Sequence, residues 1–498
     1  MRLLASEADE IVFDHLSENR SRAALRGAFW SALDTLIPTA LNSLVFVVTS
    51  RFLLPQDFGL VALAFAIVSF TAGFGPTAFG EALIQQKSIR RSHLDTVFWL
   101  SFFSAAILYA ALFGLSSTVA HWVGHDEIVN LLMIIGLKIF FDMMIIVPNA
   151  LIGRTMSFHL AAARTAIATA VSATICLSLI LAGFGIWALA IAQIAAPAAA
   201  CIAAFWGARW LPGVRIKLSS LKELLHYGIF ASGNRFLQTM NLDQLIIGTL
   251  VSPAALGIYN FARRLYEMLN NVVAGGLTSV SHVLLSSLQH DQNKVREAFL
   301  MATFGCSLVS FPAFMGLAAV ADDAIPLIFG AHWTAAIWPV RFFCVIGLMG
   351  GIGVIQASLI TSQGKSDWWF YYQLVRNIVT IATVFILYPY GVSTIVFALM
   401  LEVLMLWPAT LWMVSRLIGL SIPEYFGQFL RPIAAYLGML VAVLATSSAL
   451  SDWSMAARLV SEILVGGITY SALIFLLCRE RILFLVRTTL QGRRARTQ

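Results

Sequence analysis

The chain has 498 residues, of which 59% are hydrophobic and 11% are charged, and its mean hydropathy is +0.84. An ordinary soluble domain carries about 25% charged residues, so this composition excludes a soluble globular protein and indicates an integral membrane protein. The formal net charge is +7, but the basic residues are dispersed over short loops instead of forming a patch, which argues against nucleic-acid binding.

Fourteen apolar segments follow one another along the chain, each of about 20 residues and therefore long enough to cross a bilayer as a helix. Strands of an outer-membrane barrel would instead give alternating segments of about 10 residues. We therefore predict an all-α integral membrane protein with about 14 transmembrane helices. The segments are 28–50, 57–80, 94–117, 128–151, 160–182, 186–208, 224–250, 254–280, 297–320, 336–360, 368–388, 391–413, 430–450 and 457–478.

The distribution of basic residues predicts the orientation of these helices. If the N-terminus is cytoplasmic, 24 of the 32 Lys and Arg residues fall on the cytoplasmic side. The opposite side receives only Arg51, Arg341 and Arg458, and five basic residues lie within helices. Cytoplasmic loops of membrane proteins are enriched in Lys and Arg, so we expect an even number of spans with both termini in the cytoplasm.

An internal repeat divides the chain. The turn PQDFGL at residues 55–60 follows the first helix, and PAALGI at 253–258 follows the seventh, 198 residues later. Because six helices separate the two turns, both repeats start on the same side of the membrane, an arrangement known from transporters. The predicted organisation is a cytoplasmic N-terminal tail (1–27), an N-lobe of six helices (28–208), a cytoplasmic linker (209–223), a C-lobe of six helices (224–413), an additional helix pair (414–478) and a basic cytoplasmic tail (479–498).

Motifs for catalysis and metal binding are missing from the sequence. Gly364-Lys365-Ser366 has the ending of a phosphate-binding loop, but Leu359 stands where the first glycine is required. The cysteines have no metal-ligand spacing and indicate small core residues, not a disulfide frame or a zinc site. We predict neither an enzyme nor a bound cofactor. The cysteines are Cys176, Cys201, Cys306, Cys344 and Cys478.

Charged residues within the apolar segments are the main functional signal. An ionised side chain at mid-membrane costs about 2.5–3.5 kcal/mol on the insertion scale, so such residues usually pair or line a water-filled cavity. The basic members, which we predict to bind substrate, are Lys138, Arg235, Arg263, Arg264 and Arg376. The acidic members, which would pair with them or bind a coupling proton or cation, are Asp34, Asp142, Asp243, Glu267 and Glu402.

Spacing along the helices separates paired from surplus charges. Lys138 with Asp142, and Arg263 with Glu267, are four residues apart and can pair on one helix face; a purely structural role for the first pair is an equal alternative. The remaining guanidinium groups leave surplus positive charge, and the planar fork of arginine suits bidentate contact with phosphate. The sequence therefore predicts a cationic cavity between the two lobes for an anionic substrate, with Arg235 and Arg264 as the strongest candidates for phosphate contact.

Seven stretches in collinear order carry a resemblance to a known family. The chain resembles the polysaccharide transporter family of Wzx-type flippases, in the exopolysaccharide and colanic-acid-like branch of the multidrug/oligosaccharidyl-lipid/polysaccharide (MOP) superfamily. The likeness covers about residues 25–415 and is specific as a set. The stretches are RFLLPQDFGL (51–60), the segment from ALIQQKSI to HLDTVFW (82–99), VPNALIGRTMSF (147–158), GFGIWALAIAQ (183–193), NLDQLIIGTLVSPAALGIYNFARRL (241–265), IFGAHWTAAIWPVR (328–341) and LITSQGKSD (359–367).

The resemblance implies a secondary transporter of the bacterial inner membrane. Its substrate would be an undecaprenyl-diphosphate-linked oligosaccharide repeat unit, moved from the cytoplasmic to the periplasmic leaflet by alternating access. Membrane lipids and the polysaccharide polymerase and co-polymerase machinery would be its partners, and coupling to a H⁺ or Na⁺ gradient is left open. One departure is visible, because the family commonly has a proline late in helix 8 where this chain has Ser281 to Leu284.

Other functions compete with this interpretation. A multidrug or cation antiporter and a lipid II flippase would use the same fold, but a cation exporter should have net negative charge where arginines outnumber acids on helices 7, 8 and 11. A membrane glycosyltransferase would need an acidic base on a sizeable aqueous loop, and the loops of this chain are short.

Overall fold

The computed structural model describes residues 37–155, 157–287 and 291–497, with the backbone alone at 238, 272, 274–287 and 480–497. The regular structure in these ranges is helical and includes no strand, which confirms the all-α prediction. The predicted tail 1–27 and Asp34 lie outside the described residues. In chain order the helices are α1 (Ile37–Phe52), α2 (Pro55–Ala72), α3 (Phe79–Gln85), α4 (Arg91–Val123), α5 (Glu127–Arg154), α6 (Phe158–Leu181), α7 (Ile186–Ala208), α8 (Leu218–Thr239), α9 (Leu242–Val251), α10 (Pro253–Ser287), α11 (Gln292–Phe329), α12 (Ala331–Ser362), α13 (Ser366–Leu387), α14 (Val392–Ile418), α15 (Ile422–Phe426), α16 (Leu430–Ala449) and α17 (Met455–Thr497).

Eleven helices among the described residues are long and apolar enough to cross a membrane, so the chain is a multi-pass membrane protein. Each of the fourteen predicted segments overlaps a helix. The first, seventh and eighth segments are not among the eleven: α1 is described only from Ile37, the seventh is broken between α8 and α9, and the second half of α10 is described almost entirely by its backbone alone. The count of fourteen spans therefore stays a prediction.

The chain divides into two compact units, residues 1–257 and 258–498. The first contains α1 to α9 and the start of α10, and the second contains the remainder of α10 and the helices that follow. The predicted lobe boundaries describe a sequence repeat, which this division does not test, and they stay predictions.

The segment predicted as a linker is fixed to α4 within the first unit. The buried carboxylate of Asp95 accepts hydrogen bonds from the backbone N–H groups of Gly213 (3.0 Å) and Arg215 (3.3 Å). The Trp99 indole donates to the Gly213 carbonyl at 2.8 Å, and the Thr96 hydroxyl accepts from the Lys217 N–H at 3.1 Å. These bonds satisfy backbone groups that have no helical partner and fix the chain just before α8 begins.

The second predicted helix is not continuous to residue 80. It ends at Ala72, and the chain resumes as the short helix α3 at Phe79. Pro76 in the interruption has no N–H to donate, which disfavours a continuous helix. The Ala78 N–H instead donates to the Ser232 hydroxyl of α8 at 3.1 Å. This contact places the first turn of α3 against α8.

The two repeated turns touch each other inside the first unit. A methyl group added to Gly59 of α2 would lie 1.6 Å from the Pro253 carbonyl oxygen, and one added to Gly257 of α10 would lie 1.8 Å from the Pro55 carbonyl oxygen. Real side-chain carbons never approach a backbone oxygen this closely, so only glycine fits at both positions. The starts of α2 and α10 therefore cross in a reciprocal backbone contact.

A buried polar network holds the short helix α15 in the second unit. Tyr425 is fully buried, and its hydroxyl accepts a hydrogen bond from the Gln356 amide of α12 at 3.1 Å. The Thr410 hydroxyl of α14 donates to the same amide's oxygen at 2.9 Å. Arg296 of α11 also forms an ion pair with Glu424. The loop between α14 and α16 is therefore fixed to three helices.

The additional helix pair, α16 and α17, is attached to α11. Arg458 forms a two-pronged ion pair with the buried carboxylate of Asp323. The Tyr470 hydroxyl donates to the Leu308 carbonyl at 2.9 Å. Buried side chains of both helices pack around Phe304, so the pair is an integral part of the second unit.

Candidate functional site

In the first unit, Lys138 and Asp142 form the ion pair on α5 that their spacing predicts. The Lys138 ammonium also lies 5.8 Å from the centre of the Phe65 ring on α2, within range of a cation–π interaction. The Lys138 side chain is 21% exposed and that of Asp142 is 36% exposed. The spacing prediction is confirmed, and the lysine is neutralised on its own helix.

Arg235 has an acidic partner that the sequence did not indicate. Its guanidinium donates to Glu81 on α3 at 3.1 Å, and the two side chains are 53% and 49% exposed. Exposed ion pairs contribute only about 0–1 kcal/mol, so an anionic ligand can replace Glu81. Asp243 does not lie on the same helix as Arg235. Arg235 is on α8 and Asp243 is on α9, because the chain turns between them at Asn241, whose φ is 39°.

The second unit gathers several of the predicted residues around Tyr266 of α10. The Tyr266 hydroxyl is close enough to Arg263, Glu267 and Arg376 to interact with them electrostatically. Its ring stacks on the Phe343 ring, with centroids 5.9 Å apart. Tyr266 is therefore held in place by aromatic packing, within electrostatic range of the charged residues.

The charges on α10 are partly balanced. Arg263 donates to the Glu267 carboxylate at 3.0 Å, which confirms the second pair predicted from spacing. Arg264 is exposed and interacts electrostatically with the same carboxylate. Both guanidinium groups of α10 thus interact with the Glu267 carboxylate.

Arg376 and Glu402 lie on the neighbouring helices α13 and α14. Glu402 is only 6% exposed, and its Oε1 accepts a hydrogen bond from the Thr380 hydroxyl at 2.6 Å. Arg376 interacts electrostatically with Glu402 and with Tyr372. Within the described parts of the chain, no carboxylate lies at ion-pair distance from Arg376.

The structure thus brings together Arg263, Glu267, Arg376 and Glu402 in the second unit, with Arg264 beside Glu267. Lys138 and Arg235 belong to the first unit. Each has its own acidic partner there, Asp142 for Lys138 and Glu81 for Arg235. Sequence reasoning missed Glu81 and the tyrosine. Glu81 lies five residues after Pro76 and directly before the ALIQQKSI stretch, a signal that could have identified it. An aromatic residue in an apolar helix gives no comparable signal.

The site chemistry is cationic and phenolic. Guanidinium groups bind carboxylates and phosphates by charge-assisted hydrogen bonds, and a tyrosine hydroxyl can donate to the same ligands. Within the described residues, no group of three or more His, Cys, Asp or Glu side chains is arranged to hold a metal ion. The arrangement is suited to holding an anion.

Curated relatives extend over most of the chain. The teichuronic acid biosynthesis protein TuaB of Bacillus subtilis (strain 168) is 23% identical over 472 residues, covering 90% of this chain and 95% of the relative. The succinoglycan biosynthesis transport protein ExoT of Rhizobium meliloti (strain 1021) is 26% identical over 370 residues, covering 73% and 74%. The lipopolysaccharide biosynthesis protein WzxC of Escherichia coli (strain K12) is 23% identical over 376 residues, with the same coverage.

Solved structures show the same fold at low sequence identity. The lipid II flippase MurJ in an inward closed conformation aligns with a TM-score of 0.71 and 14% identity, covering 92% of this chain and 100% of that chain. An inward-facing multidrug resistance MATE family transporter of the MOP superfamily aligns with a TM-score of 0.57 and 14% identity, covering 78% and 98%.

The family model described as "Polysaccharide biosynthesis protein" matches residues 48–338, more than half of the chain. The matched region begins in α1 and ends in α12, so it includes the repeated turns and the charged part of α10. The chain therefore belongs to the polysaccharide biosynthesis protein family and has the fold of the MOP-superfamily transporters.

Proposed function

We propose that the protein is a flippase for lipid-linked oligosaccharide repeat units carried on undecaprenyl diphosphate. The observation that carries this proposal is the grouping of Arg263 and Arg376 around Tyr266 in the second unit. Guanidinium groups bind phosphates by charge-assisted hydrogen bonds, and a diphosphate is such a ligand.

The comparisons support the substrate class. ExoT is named as a transport protein of succinoglycan biosynthesis, and MurJ as a flippase of lipid II. A lipid-linked sugar has a hydrophilic head, an anionic diphosphate and an apolar tail. We propose that this protein moves such a molecule to the periplasmic leaflet of the bacterial inner membrane, with both of its own termini in the cytoplasm. The polymerase machinery that receives repeat units would be its partner.

Each chemical part of the substrate has a matching environment. The forks of Arg263 and Arg376 are suited to bidentate contact with the phosphates, and the Tyr266 hydroxyl can donate a further hydrogen bond. The prenyl tail stays in the lipid, where it loses no hydrophobic contact. Outward movement of an anion from a negative cell interior gains about 2.3 kcal/mol per charge per 100 mV, so this electrical contribution alone favours export.

Alternative functions fit these charges less well. A cation exporter would need net negative charge, whereas Arg263, Arg264 and Arg376 place three guanidinium groups near Glu267 and Glu402. A lipid II flippase shares the diphosphate chemistry and differs in the sugar. ExoT is named as a transport protein and the structural neighbour MurJ as a flippase. We propose that this protein also transports its substrate without catalysing a reaction.

Flipping by the full chain in proteoliposomes tests the proposal. A prenyl-diphosphate-linked disaccharide with a fluorescent sugar is incorporated in both leaflets, and a membrane-impermeant quencher reports movement between leaflets. We expect Arg263→Ala and Arg376→Ala to slow flipping by about 10-fold or more, because a hydrogen bond to a charged group contributes about 1.5–3 kcal/mol.

Arg341→Ala is the matched control, since Arg341 pairs with the exposed carboxylate of Asp322 and is not among the groups that interact electrostatically with Tyr266. Arg341→Ala should flip at the wild-type rate at equal protein abundance. Wild-type rates from both Arg263→Ala and Arg376→Ala would contradict the proposed role of these arginines.

A further inference from the structure

Glu402 is the feature of the site that phosphate binding alone does not explain. Its carboxylate is buried on α14, and the Thr380 hydroxyl donates to Oε1 at 2.6 Å. Oε2 is buried without a hydrogen-bond partner among the described residues. One oxygen of this carboxyl group is therefore satisfied, and the other is available for a new partner.

A buried ionised oxygen without a partner is unfavourable, because burial removes its hydrogen bonds to water. Two groups can relieve this cost at Oε2. A proton can bind there and neutralise the carboxyl group, or a cationic side chain can move into hydrogen-bond distance. Because Thr380 occupies Oε1, both solutions are directed to Oε2.

Arg376 is placed to supply the cation. It precedes Thr380 by four residues on α13, so the two side chains lie one turn apart on the same face, with Cβ atoms about 5–6 Å apart. Since Thr380 touches Glu402, Arg376 is about one helical turn from the carboxylate and already interacts with it electrostatically. Rotation of the long arginine side chain can close an ion pair.

Among the side chains that the structure describes, few other charges interact with Glu402. Of the titratable groups on α11, α12 and α13, which contact α14, those that interact electrostatically with Glu402 are Arg376 and Tyr372, both on α13. The protonation of Glu402 is therefore coupled mainly to the position and occupancy of Arg376.

We propose that Glu402 is a proton-operated counter-ion of Arg376 that competes with the substrate's diphosphate. The ionised carboxylate pairs with the guanidinium and withholds it from the substrate. Uptake of one proton from solution on Oε2 neutralises Glu402 and leaves Arg376 free to bind phosphate. This inference rests on the proposed function. It predicts that Glu402 takes up one proton each time the substrate binds at this site.

The expected pH dependence follows directly. Below the pKa of Glu402 the carboxyl group is neutral, so substrate affinity is high; above that pKa the carboxylate competes, so affinity falls. Glu402→Gln imitates the protonated form and should bind tightly at every pH. A merely structural role of Glu402 would instead make this variant bind more weakly or equally.

Binding of a short-chain prenyl-diphosphoryl sugar to the purified full chain between about pH 5 and pH 8 tests the proposal. Each phosphate of this diester carries one charge throughout that range, so the probe itself does not titrate. Wild-type affinity should rise as the pH falls. At pH 8, Glu402→Gln should bind at least about 5-fold more tightly than wild type, the lower end of usual coupling between two sites.

Glu462→Gln is the matched control, because Glu462 is another buried carboxyl group of the same unit, on α17. It should keep the wild-type pH profile. Equal or weaker binding by folded Glu402→Gln at pH 8 would overturn the counter-ion proposal. Wild-type binding by Arg376→Ala would overturn the proposed phosphate contact itself, so the two failures are distinguishable.

A second measurement needs no variant. Calorimetry of wild-type protein in buffers of different ionisation enthalpy reports the protons taken up when the probe binds. We expect uptake that rises toward one proton per bound probe near the pKa of Glu402. Absence of proton uptake across the whole range would overturn the proposal even if Glu402→Gln did not fold.

Discussion

Lys138 and Asp142 neutralise each other on a helix that crosses the membrane, so removing one member isolates the other. We expect Asp142→Asn to leave an unpaired ammonium and to reduce stability by about 1–3 kcal/mol, seen as a lower Tm in detergent. The double variant Lys138→Leu with Asp142→Leu should recover most of the loss, because no unpaired charge remains. A double variant less stable than Asp142→Asn would contradict this explanation.

Residue pairs differ in how well the sequence predicts them. The pairs Lys138 with Asp142 and Arg263 with Glu267 were predictable because helix geometry alone places residues four apart on one face. Glu81 with Arg235 was not, since 154 residues separate them and their contact depends on how α3 packs on α8. Burial of Glu402 beside Thr380 likewise depends on the packing of two helices.

Helix α2 depends on glycine where it crosses the start of α10. Gly59→Ala would place a methyl group 1.6 Å from the Pro253 carbonyl oxygen, so the backbone has to shift. We expect a loss of about 1–3 kcal/mol, typical of overpacking, and a lower Tm in detergent. Gly257→Ala should have a similar effect because the contact is reciprocal.

Gly305→Ala on α11 is the matched control, because nothing lies within 4 Å of the added methyl group. Alanine has the higher helix propensity, so this variant should keep or raise the Tm. If Gly59→Ala matched Gly305→Ala in stability, the close approach would not constrain the protein.

The positions of the helices were predictable from the sequence where local hydropathy determines them. Each of the fourteen apolar segments overlaps a helix, because a spanning helix needs a long apolar run. The short helices α3 and α15 were missed, since they are set by contacts such as Ala78 with Ser232 and Tyr425 with Gln356. The break between α8 and α9 was also missed, because Asn241 adopts its left-handed conformation without glycine or proline as a signal.

The orientation of the chain in the membrane is a prediction at the scale of the whole molecule. Helix α4 has 33 residues and is about 50 Å long, so its ends lie on opposite sides of a bilayer. Positive-inside bias puts Lys87 in the cytoplasm and Asp126 in the periplasm. A membrane-impermeant maleimide should therefore label Asp126→Cys in intact spheroplasts and label Lys87→Cys only after lysis.

The native cysteines are a favourable background for this experiment, because all five are buried. Unmodified protein should remain unlabelled in spheroplasts. The reverse pattern, with Lys87→Cys labelled from outside, would show that the chain is inserted in the opposite orientation.

At this largest scale, the sequence predicted the fold class and the family, because composition and collinear motifs extend over most of the chain. It did not predict that residues 209–217 are fixed to α4 by Asp95 and Trp99, since those bonds join segments more than 100 residues apart. The compact first unit extends to Gly257, well beyond the sixth predicted helix.

The crossing of α2 and α10 also bears on the history of the chain. Gly59 meets Pro253 in the way that Gly257 meets Pro55, which is the reciprocal pattern of a two-fold interface between identical subunits. A shorter ancestral protein with one copy of the turn would form this contact by pairing with itself. Gene duplication would then have joined both partners in one chain, with a glycine required in each copy of the turn.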